Sequence, residues 1–480
     1  MKTFPVRGQR GSLLIVAMIL CAIIGISIAS YINVGRSSLT MANRSLYNNG
    51  AMNLAENGLE EAMYSINRLV ADSTYSFTGN GWTAVGTTDM RRKWTGTTFD
   101  QNATGEVRVH IHNFAGTPRV IARSIVRLGG QSTNTIEKWI EVRLQKTSKF
   151  ANGLVAKDSI SFSGNNATVD SWNSDPDNDP ATPPVAYSAA VDNDRGSVGS
   201  ISVSVSAVLV NNADIWGFAA TGGALPSVGP NGRVGPFGQA AGTMDSTRVS
   251  TDFSASFDAV TVPTTSGITL AGGIAGASTP ANMSLPRLGD LPAADGKFYY
   301  DATHIGFNNA TFQVRRRVGD TAPPQVVLRL SNTTTSISIG GGSGALNVET
   351  GAKLEIYAPG DISISGQGIM NGGTTAGTSN QPINLQIWGT KTSGTQNISI
   401  AGNGALSCVL YAPQGSVRIN GNGDVMGSVV ANDITVVGNA MFHYDESLGN
   451  FGGNNPFRVS RWNEITSMTD RAALATVMNF

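Results

Sequence analysis

The sequence predicts a mainly β chain: a long N-terminal helix with a small antiparallel sheet, followed by a parallel β-helix, with a β-sandwich as the competing architecture. Three observations carry this expectation. Residues 11–35 contain no charged side chain, a run long enough to cross a hydrocarbon core of roughly 30 Å as a helix. Apolar and polar residues then alternate through 105–112, 119–128 and 135–144, the period of half-buried strands. From residue 150 onward, short alternating runs end again and again in Gly-Asn or Gly-Gly, which predicts one strand per structural repeat.

Composition narrows the function classes. The 480 residues carry a formal charge of zero, so neither nucleic-acid binding nor electrostatic steering is expected. Only 14% of residues are charged and 57 are glycine, which suits tight turns between short strands better than long surface helices. Cys21 and Cys408 lie far apart, without a CxxC neighbour. They are read as small apolar residues rather than a disulfide, metal or redox pair.

The apolar run is too long for a cleaved secretory signal and passes directly into a polar helical pattern; an ordinary signal anchor is the plain alternative. Lys2, Arg7 and Arg10 precede it, which places the leader in the cytoplasm and the remaining chain outside. Ala55, Leu59, Ala62, Met63, Ile66, Leu69 and Val70 recur at helical spacing with no proline before Pro118. One helix over 12–70, roughly 90 Å long, is predicted, with Gly35, Gly50 and Gly58 as its weak points.

A basic leader ending in Gly11, followed at once by Ser12 and apolar residues, resembles the class III leader of type IV pilins and pseudopilins. The resemblance implies cleavage by a prepilin peptidase between Gly11 and Ser12, and methylation of the new amine. Val16 stands at the fifth mature position, where most pilins have glutamate. PilX-type minor pilins and K-type pseudopilins are similarly apolar there, and the stretch 53–62, Asn-Leu-Ala-Glu-Asn-Gly-Leu-Glu-Glu-Ala, resembles the PilX N-terminal region. A carboxylate in lipid needs a positive partner, and a tip subunit has no neighbour above it to neutralise.

Residues 73–100 read as helix end and turns, with Trp82 and Trp94 as packing residues. The three alternating runs after them complete a pilin-like head. His110 and His112 share one strand face, and two histidines on a solvated face is the preferred reading over a metal pair. In the repeat region, Gly402, Gly421 and Gly438 fall 19 and then 17 residues apart, about one short β-helix coil. Leu-Glu-Ile-Tyr-Ala-Pro-Gly at 354–360 echoes Val-Leu-Tyr-Ala-Pro at 409–413. Residues 252–325 alternate weakly and are rich in proline, predicting an excursion of loops; its Arg315, Arg316 and Arg317 suit an anionic polymer or simply water. The PilX-like start, Asp170-Ser-Trp, the Ala-Pro and Gly-Asn-Gly rungs and His443-Tyr-Asp together resemble PilX-related pilus assembly proteins with a C-terminal β-helical domain, over about 150–462.

The expected organisation is a leader at 1–11, a transmembrane and stalk helix at 12–72, a head at 73–149, a β-helix at 150–455 and a C-terminal cap at 456–480. No catalytic residue and no cofactor is assigned. Asp175, Asp177 and Asp179 have the alternate spacing of a calcium loop, but Pro180 and Ala186 occupy positions where an EF-hand needs glycine and an acid. A solvated acidic turn is the default and an irregular calcium site the minor reading. His443 and Asp445 lack a nucleophile elbow or oxyanion sequence. The expected function is a non-enzymatic minor pilin or pseudopilin-like subunit of a type IV pilus or type II secretion-like filament. It would sit in the inner membrane with its bulk outside, reach the cell surface on assembly, and display the β-helix for tip assembly, adhesion or secretion. Its partners would be the prepilin peptidase, other pilins and surface polysaccharide. A membrane-tethered polysaccharide-active enzyme and a polymer-forming scaffold are the rivals.

Overall fold

The computed structural model describes residues 12–480 except 73, 101–102, 130–133, 147, 165, 180, 277–281, 366–367, 373–379, 403–405, 422–423 and 452–455. The chain forms two compact units, residues 1–146 with 454–480, and residues 147–453.

The first unit is built on α1 (Ser12–Ala71), a single 60-residue helix. Its second half buries Ala51, Leu54, Ala55, Leu59, Ala62 and Ile66, spaced three and four apart on one face. Ala51 packs with Ala103 and Val126, and the others pack on Val107, Val109, Ile111, Val120, Ala122, Ile140, Val142 and Leu144. The sheet beneath is antiparallel throughout: β1 (Thr83–Val85), β2 (Asp89–Asp100), β3 (Ala103–His112), β4 (Arg119–Leu128), β5 (Thr135–Lys146), then the strand Phe457–Glu464. Gly50 and Gly58 do not break the helix. A Cβ on Gly58 would lie 2.7 Å from Val109 Cγ2 and 2.9 Å from Val107 Cγ2, so this glycine sets how closely helix and sheet approach. Trp82 is buried and meets Trp94 edge to face at 5.8 Å, while its indole N–H donates to Ser65 Oγ.

Two expectations about this unit are corrected. Residues 83–100 form a hairpin rather than turns; β2 offers few apolar side chains because most of it is exposed. The tail, expected as a cap on the β-helix, is part of the head unit. Phe457–Glu464 pairs antiparallel with β5, and α2 (Met468–Met478) covers the sheet face opposite α1, where Ile121, Trp139, Ile465 and Met478 cluster. The same outer face carries a lattice of ion pairs. Arg119 grips Glu141 through two bonds of 2.9 and 2.8 Å, Arg123 does likewise with Glu137, and Glu106 accepts from Arg108 and Arg127.

The second unit winds parallel strands around three faces, forming a parallel β-helix. On one face Ile305, Ile337, Ile362, Ile398, Val417, Ile434, Ile160 and Val208 stack as successive register partners pointing inward. Gly402, Gly421 and Gly438 share one register line as well, so the Gly-Asn repeats do mark the same corner of successive coils. Among the described residues of this unit, pairing between neighbouring strands is parallel, with one isolated antiparallel bridge at Ser171 and Asn193; that excludes a sandwich of antiparallel sheets.

The coils are not stacked in chain order. Leu154–Phe162 lies mid-stack, with Asp424–Gly438 on one side and Gly196–Ser200 and Val208–Asn211 on the other. After Val249–Ser250 the chain must therefore travel to the far end and wind back. Residues 251–267 make that journey along the outside: Phe253 packs at Gly199, Asp258 accepts from the Tyr411 hydroxyl, and the carbonyls of Pro263 and Thr265 take Arg329. The expected loop excursion at 252–325 begins with this strap and holds for most of its described residues, but it is interrupted by short strands. Ile268–Leu270, Phe298–Ala302, Ile305–Asn308 and Thr311–Val314 are rungs whose shortness hid their alternation.

Candidate functional site

The first half of α1 is an apolar surface with nothing against it. Thirteen large apolar side chains between Leu14 and Val34 are exposed, among them Leu14 at 67% and Val16 at 57%. At roughly 1.5–3 kcal/mol for burying each, this face forgoes about 20–40 kcal/mol in water, more than the ~5–15 kcal/mol that holds a domain folded. It requires lipid or other apolar helices around it, and the helix is long and apolar enough to cross a membrane. Ser12 is its first residue; Gly11 lies outside the described residues. Cys21, read as a small apolar residue, is exposed on this surface, whereas Cys408 is buried in the coil stack, with its thiol pushed up to about 12 by desolvation. Val16 puts a side chain in the apolar band that brings no charge to neutralise.

The two polar motifs of the second unit, 273 positions apart, meet on adjacent rungs. Thr168–Trp172 pairs in parallel with Met441–Asp445, setting His443 opposite Asp170 and Asp445 opposite Trp172. Phe442 and Tyr444 point into the core, so His443 and Asp445 face outward, yet both are buried beneath residues 173–195. Nδ1 of His443 lies 2.5 Å from Asp170 Oδ1, and the Tyr187 hydroxyl donates to Asp170 Oδ2 at 2.9 Å while its ring stacks on His443 at 3.6 Å. Asp445 accepts from Ser174 and Ser447, each through backbone N–H and hydroxyl. Burial nevertheless raises its pKa above the ordinary carboxylate value, against the pull of those bonds. The Trp172 indole donates to the Val185 carbonyl at 3.1 Å. This network pins a long loop to the coil. His443 turns to Asp170 rather than Asp445, and among the described residues its buried Nε2 has no partner, so no described nucleophile completes a triad there. Both motifs were legible in the sequence, but their pairing depends on the mid-stack position of the first coil.

Asp175, Asp177 and Asp179 are spent on their own turn. The Asp179 N–H donates to Asp175 Oδ1 and Asp177 Oδ1, and the Ala181 N–H to Asp179 Oδ1. The Asp179 N–H and the Thr182 hydroxyl hold the Asp177 carboxyl below its ordinary value. No group of three metal-capable side chains occurs among the described residues. In the head, Asp89 is a partner that spacing did not reveal: its Oδ2 lies 2.8 Å from His112 Nδ1 and 3.5 Å from His110 Nε2. His110 is buried, unlike the solvated reading, and desolvation lowers its pKa.

Arg315, Arg316 and Arg317 line a cleft of about 510 Å³ together with Arg287. Arg317 is structural, paired with Asp320 and donating to the Arg287 and Asp290 carbonyls.

No curated protein matches the chain. The competence-associated pilin ComZ from Thermus thermophilus aligns at 11% identity over 86% of this chain and 97% of its own, with a TM-score of 0.22. The DUF3494 domain of ice-binding protein 1 from Shewanella frigidimarina aligns at 14% identity over 63% of this chain and 99% of its own, with a TM-score of 0.23. Both superpose too loosely to bear on function. Residues 276–451, within the coil stack, match the model of a domain of unknown function, DUF7305.

Proposed function

We propose that this chain is a non-enzymatic, pilin-like minor subunit of a type IV pilus or type II secretion-like filament, anchored in the inner membrane and displaying its β-helix outside. The observation that carries this reading is α1 itself: one unbroken helix with an unburied apolar first half and a second half docked on an antiparallel sheet. A plain membrane anchor has no need to continue as the core helix of a folded head. A filament subunit does, because the same helix must leave lipid and pack among neighbouring helices while keeping its head rigidly attached. The basic leader and the Gly11-Ser12 junction supply the processing signal that such a route uses, with a prepilin peptidase and other pilins as partners. Val16 suits a subunit that enters the filament without a carboxylate for the helix above.

The Asp170–His443 pair supports a displaying role: it is closed beneath its loop and holds structure in place. Mass analysis of the mature N-terminus tests the proposal. Native protein is expected to begin with N-methylated Ser12, and Gly11→Ala to remain full-length at the membrane. Processing that continues unchanged in Gly11→Ala would overturn it.

A further inference from the structure

We propose that the cleft lined by Arg287, Arg315, Arg316 and Arg317 binds a carboxylated polysaccharide. The acids nearby are already committed. Asp290 accepts from Arg287 and the Tyr300 hydroxyl, Asp320 from Arg317, and Glu349 from the backbone N–H of Arg316. The Arg315 guanidinium donates to the Ser284 hydroxyl while its backbone N–H donates to the Leu285 carbonyl, and among the described residues neither the Arg315 nor the Arg316 side chain has a carboxylate at ion-pair distance. Two exposed guanidiniums therefore face the cleft above two that are locked in its wall.

Planar forks of this kind match carboxylates through paired hydrogen bonds. The cleft, about 510 Å³, is of the size that holds small ligands. Leu288 and Val318, 94% and 103% exposed, stand at its rim, where they offer apolar contact to the C–H face of a sugar ring. A glycan rather than a cytoplasmic polyanion is chosen on the strength of the export reading above; anion capture itself does not depend on that reading.

The test is a titration of the full-length protein in detergent with oligogalacturonate, alongside a neutral glucan of equal length and duplex DNA. Saturable binding of oligogalacturonate alone is expected, weakened roughly tenfold or more in Arg315→Gln/Arg316→Gln. Both positions are exposed, and unchanged circular dichroism would verify the fold. No saturable binding of oligogalacturonate, equal binding by the double variant, or preference for DNA would each overturn the proposal. None of these outcomes bears on N-terminal processing, so this idea and the filament reading can fail separately.

Discussion

Replacing His443 by leucine removes the imidazole from a carboxylate that is only 6% exposed. Asp170 then keeps the Tyr187 hydroxyl but loses its 2.5 Å partner. Breaking a buried pair by deleting one member costs about 3–5 kcal/mol, because the remaining charge is stranded, whereas replacing both members with apolar residues is often neutral or stabilising. Tyr187 is half-buried, so in the double variant its hydroxyl turns to water at little cost. His443→Leu is therefore expected to destabilise the second unit by about 3–5 kcal/mol, and Asp170→Leu/His443→Leu by less than about 1 kcal/mol. Denaturant unfolding measures both, and limited proteolysis within 173–195 should report a loosened loop in the single variant. A double variant that loses the sum of the two single changes would refute the argument, since the residues would then act independently.

Gly58→Ala sets two effects against each other. Better helix propensity favours alanine by about 1 kcal/mol, while overpacking costs about 1–3 kcal/mol. The methyls that a Cβ would meet belong to buried, rotamerically stiff valines, so the clash should prevail and the melting temperature of the first unit should fall by about 2–4 °C for each kcal/mol lost. Gly35→Ala, with nothing within 4 Å, should not fall; a gain in Gly58→Ala would sink the packing account. The outer lattice of the head gives a pH signature. The Arg119 bond holds Glu141 below its ordinary value of 4.5, so its contribution is present above about pH 4.5 and is lost as pH falls through the depressed value. Trp139 fluorescence should follow that acid loss, and Glu141→Gln should flatten the slope; an unchanged slope would mean the pair contributes nothing.

Local patterns announced themselves wherever the physics is local. The helix of α1 follows from an apolar run and a three-four spacing, and the Ile-Ser-Ile rungs from a two-residue period closed by glycine. Those runs all lie on one face of the stack, in the register that their Gly-Asn corners implied. β2 was missed because an exposed strand needs no alternation, and the rungs between 268 and 314 because each is too short to display one. Asp89 beside the head histidines was missed for a different reason: a carboxylate on the neighbouring strand carries no sequence mark of its own.

From the amino acids alone came a long helix with an unburied apolar half, a small antiparallel head and a glycine-cornered coil stack, since each rests on interactions among residues close in the chain. Only the tertiary structure decided that the tail returns to the head, that the first coil sits mid-stack, and that Asp170 finds His443. Those outcomes are set by which sheet edge is free to be paired when distant segments meet. An edge offers the same backbone N–H and C=O groups to any strand, so the choice is made by the whole arrangement of coils and not by a local code.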